Sequence, residues 1–307
     1  MSAHTTALVT GGAGFVGSHL VESLSTEHVR VLDDFSTGRR DRLPDDVEVV
    51  EGDVADPDAI SRAMTGVDCV FHLAAMVSVP ESVERPVACQ RRNADATTRL
   101  LDEARRADAR VVLSSSAAVY GEQDSLPISE TARPRPQSPY GVTKLAGDHQ
   151  AAVFADLYDL PVVSLRYFNV YGPRGGTNGV VGAFVSRALA GETLEIDGDG
   201  RQTRDFVHVD DVVRANRLAA DADATGEVFN VGTGRAVSIR RLAAVVADAV
   251  DGDVAVEHTA SRTGDVRDSR ADVGKARDLL GFEPRVDLAT GVERLVEHRL
   301  GARETPQ

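Results

Sequence analysis

Short β-branched runs alternate with stretches of helical spacing, a glycine triplet closes the first run, and 307 residues give material for two lobes. Together these predict an α/β chain, a Rossmann-like doubly wound parallel sheet with a smaller, interleaved C-terminal substrate-binding domain. The runs ALVT, VRVLDD, VEVVEGD, VDCVFHL and ARVVLSSS are apolar at consecutive positions, as strands covered on both faces must be. LPVVSLRYFNV and GEVFNVG read as two further strands.

The first turn carries the strongest local signal. In VTGGAGFVGSH, Gly11, Gly14 and Gly17 stand between a strand and a helix whose apolar face is Phe15, Val16, Leu20, Val21 and Leu24. Glycines there allow a tight turn and let a pyrophosphate reach the free N–H groups of the helix N-terminus. At the end of the second run, VLDDFSTGR puts Asp33 about 20 residues past the glycines, where a carboxylate bonds the adenosine ribose and repels a 2′-phosphate. NAD is therefore the expected cofactor, with Arg39 and Arg40 the residues that speak for NADP. Asp34 is the competing carboxylate, better suited to a solvated surface. GDV closes the third strand, and Asp53 in it is placed to cap the adenine pocket.

The fifth run ends in three serines, Ser114 to Ser116, at the carboxyl edge of the sheet, where a hydroxyl can bond the oxygen of a forming carbonyl. In SPYGVTK, Ser138 and Pro139 are the N-cap and first position of a helix, so Tyr140 and Lys144 share one face a turn apart. The chain has 32 arginines and only two lysines, which makes a lysine here pointed. An ammonium is a compact charge that favours a phenolate and bonds sugar hydroxyls, whereas a guanidinium is a broad fork. Tyr140 is expected as a base made active by Lys144.

Composition sets outer limits. A net charge of −14 offers no basic stripe for nucleic acid, so any phosphate site must be local. No run approaches the roughly 18 apolar residues of a membrane span, and the first residues have no leader pattern, so a cytoplasmic protein is expected. Cys69 and Cys89 have neither the number nor the spacing for a disulfide framework or a metal site. With 31 aspartates against 17 glutamates and almost no lysine, the chain resembles haloarchaeal proteins that stay soluble in concentrated salt.

Taken in order, TGGAGFVGSH, DDFSTG, GDV, HLAA, SSSAAVYG, YGVTK, RYFNVYGPR, RDFVHVDDV and NVGTG resemble the motifs of the extended short-chain dehydrogenase/reductases. Within them the resemblance is to the NAD-dependent nucleotide-sugar epimerases of the UDP-glucose 4-epimerase type, and it runs from about residue 6 to residue 292. It implies a catalytic triad of Ser116, Tyr140 and Lys144. It also implies NAD contacts at Asp33, Asp53, Val54, Asn93, Lys144 and Tyr167, extended by Phe15, Val16, Leu73, Ala74, Ala75 and Ser114. Asn169, Arg204 and Arg267 are implied as contacts to the nucleotide diphosphate, and Ser269 as the residue bordering the sugar's 2-substituent. For Arg204 and Arg267 the alternative is an ion pair with Asp205 or Asp265. His208 reads as structural, Asp210 as the cap of the following helix, and Arg174 as a residue shaping the substrate side.

The resemblance further implies a UDP-sugar substrate, 4-epimerisation through a transient 4-keto sugar, and a homodimer built on helices near 94–107 and 140–157. Ala94, Leu101, Ala104, Ala146, Ala151, Ala152 and Phe154 are the apolar material expected for that interface. Expected domain limits are 1–170 with 205–233 for the NAD-binding domain, and 171–204 with 234–307 for the nucleotide-sugar domain. Related 4,6-dehydratases carry an Asp-Glu pair after the catalytic serine or threonine, and related decarboxylases a nearby glutamate. Here those positions are Ala117 and Ala118, which transfer no protons. A UDP-glucuronate 4-epimerase and a non-catalytic NAD-binding protein are the remaining alternatives. The segment 172–182 is shorter than in many relatives, which leaves the substrate loop open.

Overall fold

The computed structural model describes residues 6–24, 28–250, 254–260 and 266–304. The first half runs β1 (Thr6–Thr10), α1 (Phe15–Ser23), β2 (His28–Asp33), β3 (Glu48–Glu51), α2 (Pro57–Met64), β4 (Cys69–His72), α3 (Val79–Glu84), α4 (Pro86–Gln90), α5 (Ala96–Arg106), β5 (Arg110–Ser116) and α6 (Pro139–Tyr158). Then come β6 (Val162–Tyr167), β7 (Asn169–Tyr171), α7 (Val180–Leu189), β8 (Leu194–Asp197), β9 (Thr203–Arg204), β10 (Phe206–His208), α8 (Val209–Asp221) and β11 (Glu227–Val231). The chain closes with β12 (Val237–Ser238), α9 (Ile239–Ala249), β13 (Val256–Thr259), α10 (Gly274–Leu280) and α11 (Leu288–Glu304).

Seven strands form one parallel sheet in the order β3-β2-β1-β4-β5-β6-β11. Consecutive residues of each strand serve opposite faces. Leu8, Val70, Val111 and Val162 pack with Ile60, Leu100 and Leu101 of α2 and α5, while Val9, Phe71, Val112 and Val163 pack with Leu20 and Val21 of α1 and Val212 of α8. That two-sided burial is the physical reason the strands read as unbroken apolar runs. Between β1 and β4 the strand order reverses, and the carboxyl ends part there into a crevice. A second core, with Phe184, Val185, Leu194, Ile196, Leu242, Val246, Val292 and Leu295, binds α7, α9 and α11 around β8.

Three expectations are corrected. LPVVSLRYFNV is two strands, because the chain leaves the sheet at Phe168. The Phe168 amide donates to Val231 O over 2.9 Å, and β7 then pairs with β10 away from the main sheet. The N-cap of α8 is His208 and not Asp210: the imidazole Nδ1 accepts the Asp210 N–H over 3.2 Å, and Asp210 lies in the first turn. Ala94, Leu101, Ala104 and Ala151 are buried in the chain's own core. On α6 the outward stripe is instead Val142, Val153 and Leu157, all exposed.

Candidate active site

A cavity of about 640 Å³ follows the carboxyl ends of β1, β2, β4, β5 and β6. Its volume suits a nucleotide-sized ligand. At one end the glycine turn forms a cradle that no side chain can share. Gly11 adopts φ +69°, and a Cβ on it would lie 2.8 Å from Ala74 N. On Gly17 a Cβ would lie 2.1 Å from Gly11 O. Gly14 is the N-cap of α1, so the wall presents free N–H groups and the positive end of a helix dipole. These features fit the pyrophosphate of a dinucleotide. Phe15, Val16, Val54, Leu73, Ala74, Ala75, Ser114 and Tyr167 border the same space.

Asp33 lines the cavity with its carboxylate fixed by the backbone. One oxygen accepts Ala13 N and the other Phe35 N, each over 2.9 Å. Burial pushes this carboxyl up and the two amide bonds pull it down, and each oxygen keeps a lone pair for a ribose hydroxyl. Asp53 is also in the wall, its position set by a 2.9 Å bond from Ala55 N. Arg92, which sequence reasoning did not single out, joins it over 3.1 Å and reaches Asp34 at 3.6 Å. It thus ties the ends of β2 and β3 together at the rim. The available signal was an arginine cluster, Arg85, Arg91 and Arg92, in an acidic chain.

Asn93 stands behind the wall. It accepts Met76 N over 2.8 Å and donates to Met76 O and Thr143 Oγ1, pinning the strand-end loop to α6.

Ser116 ends β5, and its Oγ accepts Ala118 N over 3.2 Å, which opens a short 3-10 turn. Its hydroxyl is also hydrogen-bonded to Tyr140. Ser138 Oγ accepts Gly141 N over 3.1 Å and Pro139 follows it, so the capped start of α6 delivers Tyr140 to the cavity. One turn on, Lys144 is buried and donates to Ser114 O over 2.8 Å. Burial pulls the ammonium down to about 8, partly opposed by the charge of Asp148. For Tyr140 burial outweighs every other influence: the phenol is pushed up, the Ser116 bond opposes this, and the ammonium lies 6.0 Å from the ring centroid. The expected pull of Lys144 towards neutrality does not prevail. Nearby His72 bonds Thr10 and Thr97 and is driven down to about 3 by burial and by Lys144, so it is neutral.

Asn169, Arg204 and Ser269 also line the cavity, as do Ala117, Ala118 and Val266. Arg204 donates to Thr203 O and to Arg267 O. Its suggested partner Asp205 is fully buried, accepting the amides of Thr233, Gly234 and Ala271. Arg267 does not enter the wall: its guanidinium is exposed and 3.9 Å from Asp268, while its amide donates to Glu122. Asp265, the partner suggested for it, lies outside the described residues. Arg174 sits at φ +63° and pairs with Glu22 of α1 away from the cavity. Among the described residues no cluster of three or more His, Cys, Asp or Glu could hold a metal, and no helix is long and apolar enough to cross a membrane.

A glycine cradle, a ribose carboxylate and a Ser-Tyr-Lys set in one cavity agree with what comparison with known proteins finds. The model of the NAD dependent epimerase/dehydratase family matches residues 7–232. A UDP-glucose 4-epimerase of Mycolicibacterium smegmatis is 42% identical over 308 residues, covering 94% of this chain and 97% of that protein. The structure of a UDP-glucose 4-epimerase of Thermotoga maritima with UDP-glucose superposes with a TM-score of 0.94 at 38% identity, covering 97% and 100% of the two chains. A UDP-N-acetylglucosamine 4-epimerase of Methanobrevibacter ruminantium, in complex with UDP-N-acetylmuramic acid, gives 0.94 at 34% identity over 97% and 99%. By sequence, by fold and by the make-up of its cavity, this chain belongs to the NAD dependent epimerase/dehydratase family.

Proposed function

We propose that the chain interconverts the C4 epimers of a UDP-hexose, UDP-glucose and UDP-galactose and also their N-acetylated pair, with NAD retained between turnovers. The observation that carries this is the convergence of Ser116, Tyr140 and Lys144 on the cavity that also holds the glycine cradle, with Ala117 and Ala118 as the next residues in the wall. A hexose without a carboxylate has no carbon dioxide to lose, and a dehydratase needs a proton-transferring group at that edge. Two methyl groups cannot supply it, so oxidation at C4 has no exit other than reversal.

NAD, when bound, supplies the hydride acceptor and donor that no side chain can provide. The chain's own residues do the rest. Tyr140, in its minor ionised form, receives the proton of the sugar 4-hydroxyl, and Ser116, held by Ala118 N, bonds the oxygen that becomes a carbonyl. Lys144 fixes the local charge. Arg204, a guanidinium in the cavity wall, offers a diphosphate a partner for paired hydrogen bonds. The sugar then turns and Tyr140 returns the proton on the way back, leaving net redox unchanged.

A homodimer through the outward stripe of α6, and a cytoplasmic setting in concentrated salt, complete the proposal. The stripe's exposure and the acid-rich composition support them. The deciding experiment incubates purified protein with UDP-glucose, UDP-N-acetylglucosamine and UDP-glucuronate and separates the products by chromatography. Galactose-configured products with no net NADH support the reading, and dehydrated, decarboxylated or unchanged sugars overturn it.

A further inference from the structure

We propose that Asp148 is a positioning residue for Lys144: a buried carboxylate one turn along the same helix face, anchored by Arg166, that keeps the lysine a fixed cation at the cavity floor. The inference rests on the catalytic reading of Lys144 and extends it to a residue outside the cavity wall.

Tyr140, Lys144 and Asp148 follow one another at four-residue spacing on α6, which stacks them on a single face with about 5–6 Å between neighbouring Cβ atoms. Asp148 is 3% exposed. Its Oδ2 accepts Arg166 Nε over 2.8 Å, while its Oδ1 is buried with no hydrogen-bond partner. A carboxylate oxygen left bare in the interior is costly unless a nearby positive charge uses it. The cation one turn away on that face is Lys144.

Arg166 is itself held from the far side. Its Nη1 donates to the Tyr120 hydroxyl over 3.0 Å, its guanidinium lies 4.8 Å from that ring's centroid, and the Tyr120 hydroxyl donates to Asn230 Oδ1 over 2.6 Å. A continuous line of buried polar side chains therefore runs from β11 to the face on which Lys144 sits. Arg166 pairs with this carboxylate directly, and Lys144, one turn along the helix, feels its charge.

The other groups facing Lys144 cannot replace that charge. His72 on β4 is neutral, since it is held down to about 3. Burial pushes up the phenols of Tyr140 on α6 and Tyr167 on β6, so neither is anionic at neutral pH. Cys89 on α4 contributes less to Lys144 than Asp148 does. Ser114 on β5 offers a carbonyl and a hydroxyl, which are dipoles. Burial lowers the affinity of Lys144 for its proton and Asp148 raises it. Removal of the carboxylate therefore makes Lys144 lose its proton at lower pH, and because the base Tyr140 titrates above it, the pH at which turnover stops rising must move down with it.

The scarcity of lysine makes the test direct. Protein labelled with ¹³Cε-lysine carries two labelled positions, Lys144 and Lys275, and Lys275→Arg assigns them. Lys275, tied to Glu227, serves as the internal control. In Asp148→Asn the Lys144 midpoint is expected to fall by about one pH unit, a tenfold loss of proton affinity, with Lys275 unmoved. The pH at which kcat stops rising should shift down by the same amount, KM for UDP-glucose should change little, and Asp148→Glu should restore both readings. If Asp148→Asn does not fold, the doubly neutral Asp148→Asn/Arg166→Gln removes the unpaired arginine and is read the same way. An unmoved Lys144 midpoint, or activity that drops with no shift of the pH at which kcat levels off, overturns the proposal. Wild-type protein that never epimerises would instead refute the proposed function, and the lysine titration would still decide the role of Asp148.

Discussion

Lys144 makes its shortest hydrogen bond, 2.8 Å, to the carbonyl oxygen of Ser114, two residues before the serine that bonds Tyr140. One strand end thereby locates both the cation and the hydroxyl of the triad. The bond needs a single compact donor in a buried site. Lys144→Arg keeps the charge but brings a planar fork that cannot occupy that point without displacing α6 or β5. Turnover of UDP-glucose should fall at least about a hundredfold, a cost of about 3 kcal/mol at the transition state. A variant within a few-fold of wild type would show that only the charge matters.

Tyr140→Phe should abolish turnover while NAD stays bound, because it removes the proton acceptor and leaves the cradle intact. Bound NAD can be measured by ultraviolet absorbance after denaturation. The wild-type pH profile follows from the two shifts. Burial holds the phenol above its ordinary value, so the base form grows as pH rises. Burial holds Lys144 down to about 8, so the ammonium is lost through that region. Their product rises with pH up to about 8, levels where the loss of ammonium cancels the gain of phenolate, and falls only above the phenol's raised value. A profile flat from pH 6 to 9 would remove this pair from the rate-controlling step.

What was legible in the sequence is what is local. Glycine spacing between strand and helix, or Ser138-Pro139 opening a helix, depends on neighbours a few residues apart, and the geometry follows the residue types. Asn93 and Arg267 differ because the direction of a side chain is settled by distant partners: Met76 and Thr143 turn Asn93 behind the wall, and Arg267 meets Asp268 at the surface. Arg92 has meaning only once two loops, one near Asp34 and one near Asp53, are brought together. His208 took the cap from Asp210 because an imidazole nitrogen can accept an amide as a carboxylate does, which residue preference alone does not reveal. Ala94, Leu101, Ala104 and Ala151 mark an apolar face correctly. Periodicity cannot say whether a mate or the chain's own core covers it.

Gly17→Ala tests the cradle. Its Cβ would stand 2.1 Å from Gly11 O and 2.8 Å from Gly12 Cα, and both are backbone atoms that have no free end to move. The expected loss is about 2 kcal/mol of stability, and with it bound NAD. Gly179→Ala is the control, since a Cβ there meets nothing within 4 Å. Melting temperature and NAD content should both fall in the first variant and stay near wild type in the second. Retained NAD in Gly17→Ala would mean the turn does not hold the pyrophosphate.

Leu157 is 67% exposed, and Val142 and Val153 extend the apolar surface along α6 on the side away from Lys144. Such a stripe on an acid-rich surface is the material of a contact between copies. Leu157→Asp should turn a dimer into a monomer by light scattering in high salt, with the fold unchanged by circular dichroism. If the wild type already has a monomer mass, the proposed homodimer is excluded.

Ser269 bears on substrate breadth. It is 8% exposed, lines the cavity, and is fixed by a 3.1 Å bond from its amide to Thr203 O. Its side chain is small, so the wall leaves space where a sugar's 2-substituent would lie if Arg204 takes the diphosphate. A tyrosine there fills that space. Overpacking penalises only the ligand that needs the room, so Ser269→Tyr should suppress UDP-N-acetylglucosamine turnover at least tenfold, about 1.4 kcal/mol, and leave UDP-glucose within a few-fold. The ratio of kcat/KM for the two sugars is the measurement, because a general loss of fold lowers both rates and cancels. An unchanged ratio would place the wall beside the 2-substituent elsewhere, and segment 172–182 would then be the next place to substitute.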